Sequence, residues 1–279
     1  VLFGPQQVRS VVFYIPVAGF KAVDEDIDVD NLYKQDQFIM CEEEEAFRTK
    51  LSGFQRCTRD KSDINDDLPL NVVLIGNRNV IRDTLFRAGW KLPGTFSFST
   101  AFKTAEAFFS GKFPLSVPVA PQYLFGRKQD ISIHKGRDSL HERNCLNLWR
   151  TPWIFKGKNV WIGNISRDIG IKRKSKSLNF ANKIDPDIDN AYYYFFMDVM
   201  MAQGLAKFGV VKYIGKSTPE NPGTTLSGSP YWTGGKRAVL LFSDDRIAMD
   251  EIDFFNWDFN QSVKETIQEL EQKSRETGL

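Results

Sequence analysis

Short runs of β-branched and aromatic residues alternate along the chain with segments in which apolar residues recur at helical spacing. The first kind of run predicts strands, and these lie at Val8–Val17, Asn71–Ile75, Tyr123–Phe125, Ile131–Ile133, Leu146–Trp153, Asn159–Ile165, Val210–Ile214 and Ala238–Phe242. The helical spacing predicts helices, and these lie near residues 42–51, 80–89, 98–109, 187–207 and 263–270. Because strands and helices are interleaved, we expect an α/β fold, a mixed β-sheet with packed helices.

Turn and capping residues divide this pattern into three parts. The sequence Lys156-Gly157-Lys158 separates two predicted strands and favours a hairpin, and Asp185-Pro186-Asp187 is typical of a helix start. The polar stretch Asp60–Pro69 is typical of a linker, and residues 215–235 of a long loop. We therefore expect an N-terminal β-containing segment at residues 1–64, a main domain at 65–250 and a C-terminal helical extension at 251–279.

Composition narrows the class of protein but does not indicate a function. The 279 residues include 37 Lys and Arg against 35 Asp and Glu, which gives a net charge of +2, and 42% are hydrophobic. A chain of this length and composition buries a substantial core and is not intrinsically disordered. Its balanced charge gives no electrostatic reason to expect nucleic acid as a partner.

The cysteines and the hydropathy of the chain leave its compartment open. Cys41, Cys57 and Cys145 are widely spaced and form no CxxC motif, so we do not expect a zinc ribbon. A Cys41–Cys57 disulfide and three free buried thiols both fit this spacing. No run reaches the roughly 18 apolar residues that span a bilayer, and since the chain begins at Val1, we expect any signal peptide or lipid anchor to lie outside it.

The common motifs for nucleotide, metal or acyl chemistry do not occur in the sequence. There is neither a glycine-rich phosphate loop nor a G-x-S-x-G motif. Two D-x-D-x-D runs begin at Asp26 and Asp185, but Gln37 and Phe196 stand where a calcium loop needs a bidentate glutamate. We therefore expect neither a metal nor a cofactor. The basic run 172–176 is typical of a solvated hairpin tip, with contact to phosphate or lipid headgroups as the alternative.

Two aromatic segments lie in the last third of the chain. Tyr192–Phe196 occupies successive positions of a predicted helix, so its rings lie on all sides of one turn, and Phe254–Phe259 is similarly aromatic. Burial in the core and contact with a partner protein both explain such segments. The candidate interface residues are Tyr192, Tyr193, Tyr194, Phe195, Phe196, Phe254, Phe255, Trp257 and Phe259.

Five motifs that occur in order make the middle of the chain similar to a known family. They are Asn71–Trp90 (NVVLIGNRNVIRDTLFRAGW), Tyr123–Asp130 (YLFGRKQD), Leu148–Pro152 (LWRTP), Val160–Gly170 (VWIGNISRDIG) and Ile184–Asp189 (IDPDID). With them, residues from about Leu70 to Ile214 resemble the LssY C-terminal domain family of bacterial envelope proteins. The family takes its name from a secretion-associated locus, so the resemblance implies an envelope setting.

The chain departs from the family pattern at several polar positions. The pattern has a His and an Arg before LWRTP, where this chain has Cys145 and Asn147. It has a further His before IDPD, where this chain has Asn182 and Lys183, and an Arg-Asp pair at the positions of Tyr192 and Tyr193. The retained family polar residues are Arg127, Asp130, Arg167 and Asp168. The resemblance thus implies a conserved fold in which groups suited to proton transfer or anion binding have been replaced.

Two hypotheses from different classes follow from this resemblance. The first is a non-catalytic structural or accessory subunit of a bacterial cell-envelope assembly, such as a secretion system, in the periplasm or at the outer membrane. Its partners would be other protein subunits, and any membrane anchor would lie outside this chain. The second is a hydrolase acting on a phosphorylated or envelope-derived substrate. Its polar groups would be Arg127, Asp130, Arg167, Asp168, Cys145 and His141.

The arrangement of these polar groups distinguishes the two hypotheses. Convergence in one open pocket would favour the hydrolase, whereas burial in ion pairs would favour the structural subunit. A third hypothesis is binding of peptidoglycan or lipid through the basic run 172–176.

Overall fold

The computed structural model describes residues 28–91 apart from Asp30, then 121–136, 142–173, 180–212 and 215–257. Strands β1 to β8 are Ile39–Cys41, Cys57–Arg59, Asp66–Pro69, Val72–Ile75, Tyr123–Leu124, Arg127–Lys128, Ile131–Gly136 and Glu142–Phe155. Strands β9 to β15 are Lys158–Arg173, Phe180–Ile184, Leu205–Lys212, Gly223–Thr224, Pro230–Tyr231, Lys236–Phe242 and Asp253–Phe254. The α-helices of these residues are α1 (Glu44–Ser52), α2 (Arg78–Arg87) and α3 (Asp189–Met201).

Some predictions concern residues outside these ranges. They are the strand at Val8–Val17, the helices near 98–109 and 263–270, the residues His141 and Phe259, and the basic run after Arg173.

The main sheet is mixed, as the sequence predicts, and strands dominate the fold. Its order is β1-β8-β9-β4-β14-β11-β15, with β7 paired to β8 and β10 paired to β9. The β8–β9, β9–β4 and β14–β11 pairs are antiparallel, whereas β1–β8, β4–β14 and β11–β15 are parallel. The sheet curls into a half-barrel.

The predicted hairpin around Gly157 is confirmed, and its strands are longer than the sequence pattern indicates. Lys156 and Gly157 have φ values of 45° and 75°, as a two-residue turn between twisted strands requires. Pairing then extends from Phe155 opposite Lys158 to Glu142 opposite Ile169. Because β1, β7, β4 and β10 all pair with its two strands, we call it the central hairpin.

Helices and apolar segments cover both faces of the sheet. On one face, α2 and α3 pack on side chains such as Leu74, Leu146 and Ile165. On the other face, α1 and the segment after β15 pack on side chains such as Val73 and Trp149. We call these the α2–α3 face and the α1 face. No helix of the described residues is long and apolar enough to cross a membrane.

The stretch Asp60–Pro69 differs from the predicted linker in its second half. Residues Asp66–Pro69 form β3, which pairs with β2 in a four-stranded sheet of order β3-β2-β5-β6. Leu68 is buried, and the Asp67 carboxylate accepts a hydrogen bond from the amide of Leu226 at 2.9 Å. A partner distant in sequence thus stabilises a strand that local polarity does not predict.

Three other segments also differ from the sequence pattern. The predicted loop 215–235 contains the short β12–β13 pair. Helix α3 ends at Met201 instead of continuing to Lys207, because Gln203 has a φ of 56° and the chain enters β11 at Leu205. The described part of the predicted C-terminal helical extension, residues 251–257, contains β15 and no α-helix.

Gly163 tests how closely β8 and β9 pack. A Cβ atom at this position would lie 2.0 Å from the carbonyl oxygen of Asn147, a contact that only a backbone shift can relieve. We expect Gly163→Ala to lower the free energy of unfolding by about 3 kcal/mol, measured by urea denaturation. Gly136 in β7 is the matched control, because a Cβ atom there meets nothing within 4 Å. Gly136→Ala should change stability by less than about 0.5 kcal/mol, and equal effects of the two substitutions would contradict the close packing.

Candidate functional site

A row of polar side chains follows the α1 face of the central hairpin. Side chains alternate between the faces of a strand, so every second residue of β8 and β9 lies on this face. Three cross-strand pairs lie in succession, namely Arg143 with Asp168, Cys145 with Ser166, and Asn147 with Asn164. On β7, His134 lies opposite Cys145, and Ser132 lies opposite Asn147. We call these eight residues the polar strip.

Amide groups form one end of the polar strip. The Asn147 Nδ2 donates to Asn164 Oδ1 at 3.3 Å, and the Ser132 hydroxyl donates to Asn147 Oδ1 at 2.8 Å. Asn164 Nδ2 donates to the side-chain oxygen of Gln122. Asn147, Asn164 and Gln122 are all buried. Because these amides satisfy one another, this end of the strip makes a rigid polar core.

An ion pair and a thiol form the other end. Arg143 Nε donates to Asp168 Oδ2 at 2.9 Å, and the Cys145 thiol donates to the same oxygen at 3.5 Å. Burial raises the pKa of the Asp168 carboxyl. Burial, and then the nearby Asp168 carboxylate, raise the pKa of the Cys145 thiol well above its usual value. Cys145 therefore stays a neutral thiol and is not an activated nucleophile.

His134 does not supply the base that a cysteine nucleophile needs. Burial, followed by the positive charges of Arg143 and Lys91, lowers the pKa of the imidazole and so makes it a weaker base. The Cys145 thiol donates its proton towards Asp168. A triad requires a base that accepts this proton and is itself oriented by a third group. The polar strip does not provide that arrangement.

Arg127 and Asp130 form a buried ion pair that attaches the β5–β6 hairpin to β8. The Arg127 Nε and Nη2 atoms donate to the two Asp130 oxygens at 2.8 and 2.9 Å. Asp130 also accepts from the Arg150 amide at 2.6 Å, and Arg127 Nη2 donates to the Arg150 carbonyl at 2.7 Å. The side chains of this bidentate pair thus bond the Arg150 backbone as a neighbouring strand would. The pair acts as a structural clamp.

The four retained family polar residues lie in three separate places, because only Arg127 and Asp130 pair with each other. Asp130 contacts the amide of Arg150, whereas Asp168 lies opposite Arg143, seven residues away along β8. At the rise of an extended strand this separation is about 20 Å. Arg167 lies on the α2–α3 face, opposite to Asp168, and pairs with Glu142 at 3.2 Å and Asp185 at 3.6 Å. Of the predicted hydrolase groups that the structure describes, Arg127 contacts Asp130 and, in a separate place, Cys145 contacts Asp168.

The aromatic candidates divide into buried and exposed residues. Those buried in the chain's own core are Tyr192, Phe195, Phe255 and Trp257. Phe196 and Phe254 are half-buried, and both rings contact Phe208. Tyr193 and Tyr194 are 53% and 44% exposed. Packing within the chain therefore accounts for most of the predicted interface residues and leaves the two tyrosines on the surface.

Sequence reasoning missed two exposed methionines and the polar strip. Met197 and Met201 are 50% and 69% exposed and follow Tyr193 at one-turn intervals on α3. Their i, i+4, i+8 spacing could have indicated a second apolar face of the helix. The polar strip could have been found from polar residues at every second position of two adjoining strands.

The described residues contain neither a group of side chains that could hold a metal ion nor a disulfide. No group of three or more His, Cys, Asp and Glu side chains in the ranges given above could hold a metal ion. Cys41, Cys57 and Cys145 are free and buried, so no disulfide joins Cys41 to Cys57.

Alkylation of Cys145 tests whether the polar strip is reactive. Because burial and Asp168 keep this thiol protonated, we expect iodoacetamide at pH 8 to modify it at least about 100-fold more slowly in the folded protein than after unfolding. The measurement is peptide mass spectrometry. A Met249→Cys variant supplies an exposed reference thiol, since Met249 is 49% exposed. Modification of Cys145 at the rate of this reference would contradict the structural role and favour the hydrolase.

Removal of one partner of the Arg127–Asp130 pair tests the structural clamp. Asp130→Asn removes the counter-charge of the half-buried Arg127 and weakens its charged hydrogen bonds, so we expect the free energy of unfolding to fall by about 2 kcal/mol. The matched control is Asp83→Asn in the exposed Arg82–Asp83 pair. This control should cost less than about 0.5 kcal/mol. An equally small effect of Asp130→Asn would show that the clamp does not hold the hairpin.

Comparison with known proteins agrees with the resemblance of the sequence motifs. Neither curated proteins nor solved structures give a significant match to the chain. A family model described as the LssY C-terminus matches residues 49–236, which is more than half of the chain. The matched span contains the central hairpin, the polar strip and α3. The chain belongs to the LssY C-terminal family.

Proposed function

We propose that this chain is a non-catalytic structural or accessory subunit of a bacterial cell-envelope assembly. The observation that carries the proposal is that the retained polar groups form ion pairs within the fold. Arg127, Asp130 and Asp168 are held in buried ion pairs, and Arg167 is shared between two carboxylates. The envelope setting, with a secretion system as the named example and the periplasm or outer membrane as the location, comes from the family resemblance.

The surface of α3 supports a role in assembly. Tyr193, Tyr194, Met197 and Met201 are the exposed apolar side chains of this helix, and we call them the α3 stripe. Apart from these four residues, only Asn190 is exposed on α3. Tyrosine and methionine are enriched at protein interfaces and adapt to a partner's shape. We therefore propose that the α3 stripe binds an uncharged, apolar surface of a different protein subunit.

The absence of charge on the stripe decides the chemistry of this partner. A partner surface with a charged residue opposite the stripe would lose hydration of that charge and gain no ion pair. An apolar surface has no charge whose hydration would be lost, and it gains the burial of two aromatic rings and two thioethers. The partner should consequently be apolar where it meets α3.

The hydrolase hypothesis remains a prediction with less geometric support. It requires a nucleophile and a base in one accessible place. In the described residues, Cys145 is buried beside Asp168, while Asp130 contacts the amide of Arg150, five residues from Cys145 along β8.

Charged substitutions on the α3 stripe test the proposed function. Met197→Lys and Tyr193→Asp place a charge where the apolar partner must bind, so we expect recovery of co-purified subunits from native membranes to fall at least tenfold. Met249→Lys, at a comparably exposed methionine outside α3, should leave recovery unchanged. Circular dichroism should show that all three variants fold.

Two results would contradict this proposal. One is recovery of the same subunits with the stripe variants as with the unchanged protein. The other is a protein that is monomeric and has no partner in native membranes. A partner that proves to be a second copy of this chain would contradict the choice of a different subunit.

A further inference from the structure

Three polar atoms of two neighbouring side chains are buried without a hydrogen-bond partner. In the part of the chain that the structure describes, they are Asn144 Nδ2, Asn144 Oδ1 and Arg167 Nε. Asn144 in β8 lies directly opposite Arg167 in β9, so both side chains lie on the α2–α3 face, away from the polar strip. Directly opposite residues have Cβ atoms about 5 Å apart. The three atoms are therefore available to one small group.

Orphaned polar atoms are rare because they are costly. Each unpaired buried group loses its hydration and gains no hydrogen bond in return, and more than nine in ten such groups in folded proteins have a partner. Asn144 is completely buried, so bulk water does not satisfy its amide. An amide with both its donor and its acceptor unused indicates a place built to bind another polar group.

Charged side chains surround Asn144 and are already paired with one another. The Nη atoms of Arg167 pair with Glu142 at 3.2 Å and with Asp185 at 3.6 Å, and neither carboxylate bonds its Nε atom. Lys135, the neighbour of Asn144 in β7, pairs with Asp198 of α3 at 2.6 Å. The side chains of Lys135, Glu142, Arg167 and Asp185 are 17–34% exposed. Rotamer changes of these outer groups can open a path to Asn144.

The unused atoms specify the group that would bind. Asn144 Nδ2 and Arg167 Nε donate, so the ligand must accept, and Asn144 Oδ1 accepts, so the ligand must also donate. A carboxylate or a fully ionised phosphate has no donor. An anion would in addition meet three carboxylates, Glu142, Asp185 and Asp198, against two cationic side chains. A neutral carboxamide has both functions and carries no charge.

We propose that Asn144 and Arg167 form a binding site for a neutral amide group, such as the peptide amide of a ligand. The ligand's carbonyl oxygen accepts from Asn144 Nδ2 and Arg167 Nε, and its N–H donates to Asn144 Oδ1. The site is independent of the α3 stripe and of the proposed function.

Titration of the full chain with acetamide tests this site. In ¹⁵N-labelled protein, the side-chain NH₂ of Asn144 and the Nε–H of Arg167 are read by nuclear magnetic resonance. We expect saturable shifts of both signals with acetamide, and an affinity at least tenfold lower for acetate, which cannot donate. Comparable affinities for acetate and acetamide would overturn the choice of a neutral donor–acceptor group.

Two variants separate binding from folding. Asn144→Leu removes all the amide contacts and should abolish the saturable shift of Arg167 Nε–H. Arg167→Lys keeps a positive charge beside Glu142 and Asp185 but lacks the Nε–H, so acetamide should still shift Asn144 with an affinity several-fold lower. Asn190→Leu, at an exposed asparagine of α3, is the matched control and should bind acetamide like the unchanged protein.

The site would be disproved by either of two results. The first is no saturable shift in the unchanged protein, together with a long-lived water in contact with the Asn144 NH₂ that acetamide does not displace. The second is an unaltered acetamide affinity in a folded Asn144→Leu protein.

Discussion

The antiparallel pairing of β8 with β9 determines the position of the other strands of the main sheet. β1 and β7 pair with β8, whereas β4 and β10 pair with β9, and β14, β11 and β15 follow outward from β4. The pairing also fixes which side chains share a face, because a slip of one residue would move every side chain to the opposite face. Close contact at Gly163, where even a methyl group does not fit, selects one register.

This register places the polar strip and the core residues Leu146 and Ile165 on opposite faces of the hairpin. Leu146 and Ile165 enter the core beneath α2 and α3, while their neighbours form the polar strip on the other face. Buried polar groups add specificity only when their hydrogen bonds are made. The amides of Asn147 and Asn164 satisfy this condition, and so does the Arg143–Asp168 pair. The hydrogen bonds of these four residues are thus made within the fold.

Local signals in the sequence predicted the elements whose cause is local. Lys156-Gly157-Lys158 indicated the central hairpin because only a few residues tolerate positive φ in a tight turn. The Asp185–Asp187 sequence likewise placed the start of α3 within a few residues. Strand β3 was missed because its stability comes from β2 and from the distant Leu226 amide. No local pattern contains that information.

The candidate site was predictable only in part for the same physical reason. The sequence shows five consecutive aromatic residues at Tyr192–Phe196, but the orientation of α3 on the sheet decides which of them are buried. Asp130 and Asp168 were identified as retained polar residues, yet their separation along β8 depends on the strand register. Asn144 attracts no notice as a single residue, and it becomes part of a candidate site only when β8 and β9 place it opposite Arg167.

The central claim is that this chain acts through contact with another protein and uses its polar residues to hold the fold. Hydroxyl-radical footprinting of the α3 stripe, in native membranes and in the isolated protein, tests it most directly. The account predicts strong oxidation of Tyr193, Met197 and Met201 in the isolated protein and protection in membranes, with Met249 equally oxidised in both. Equal oxidation of the stripe in both samples would contradict the claim.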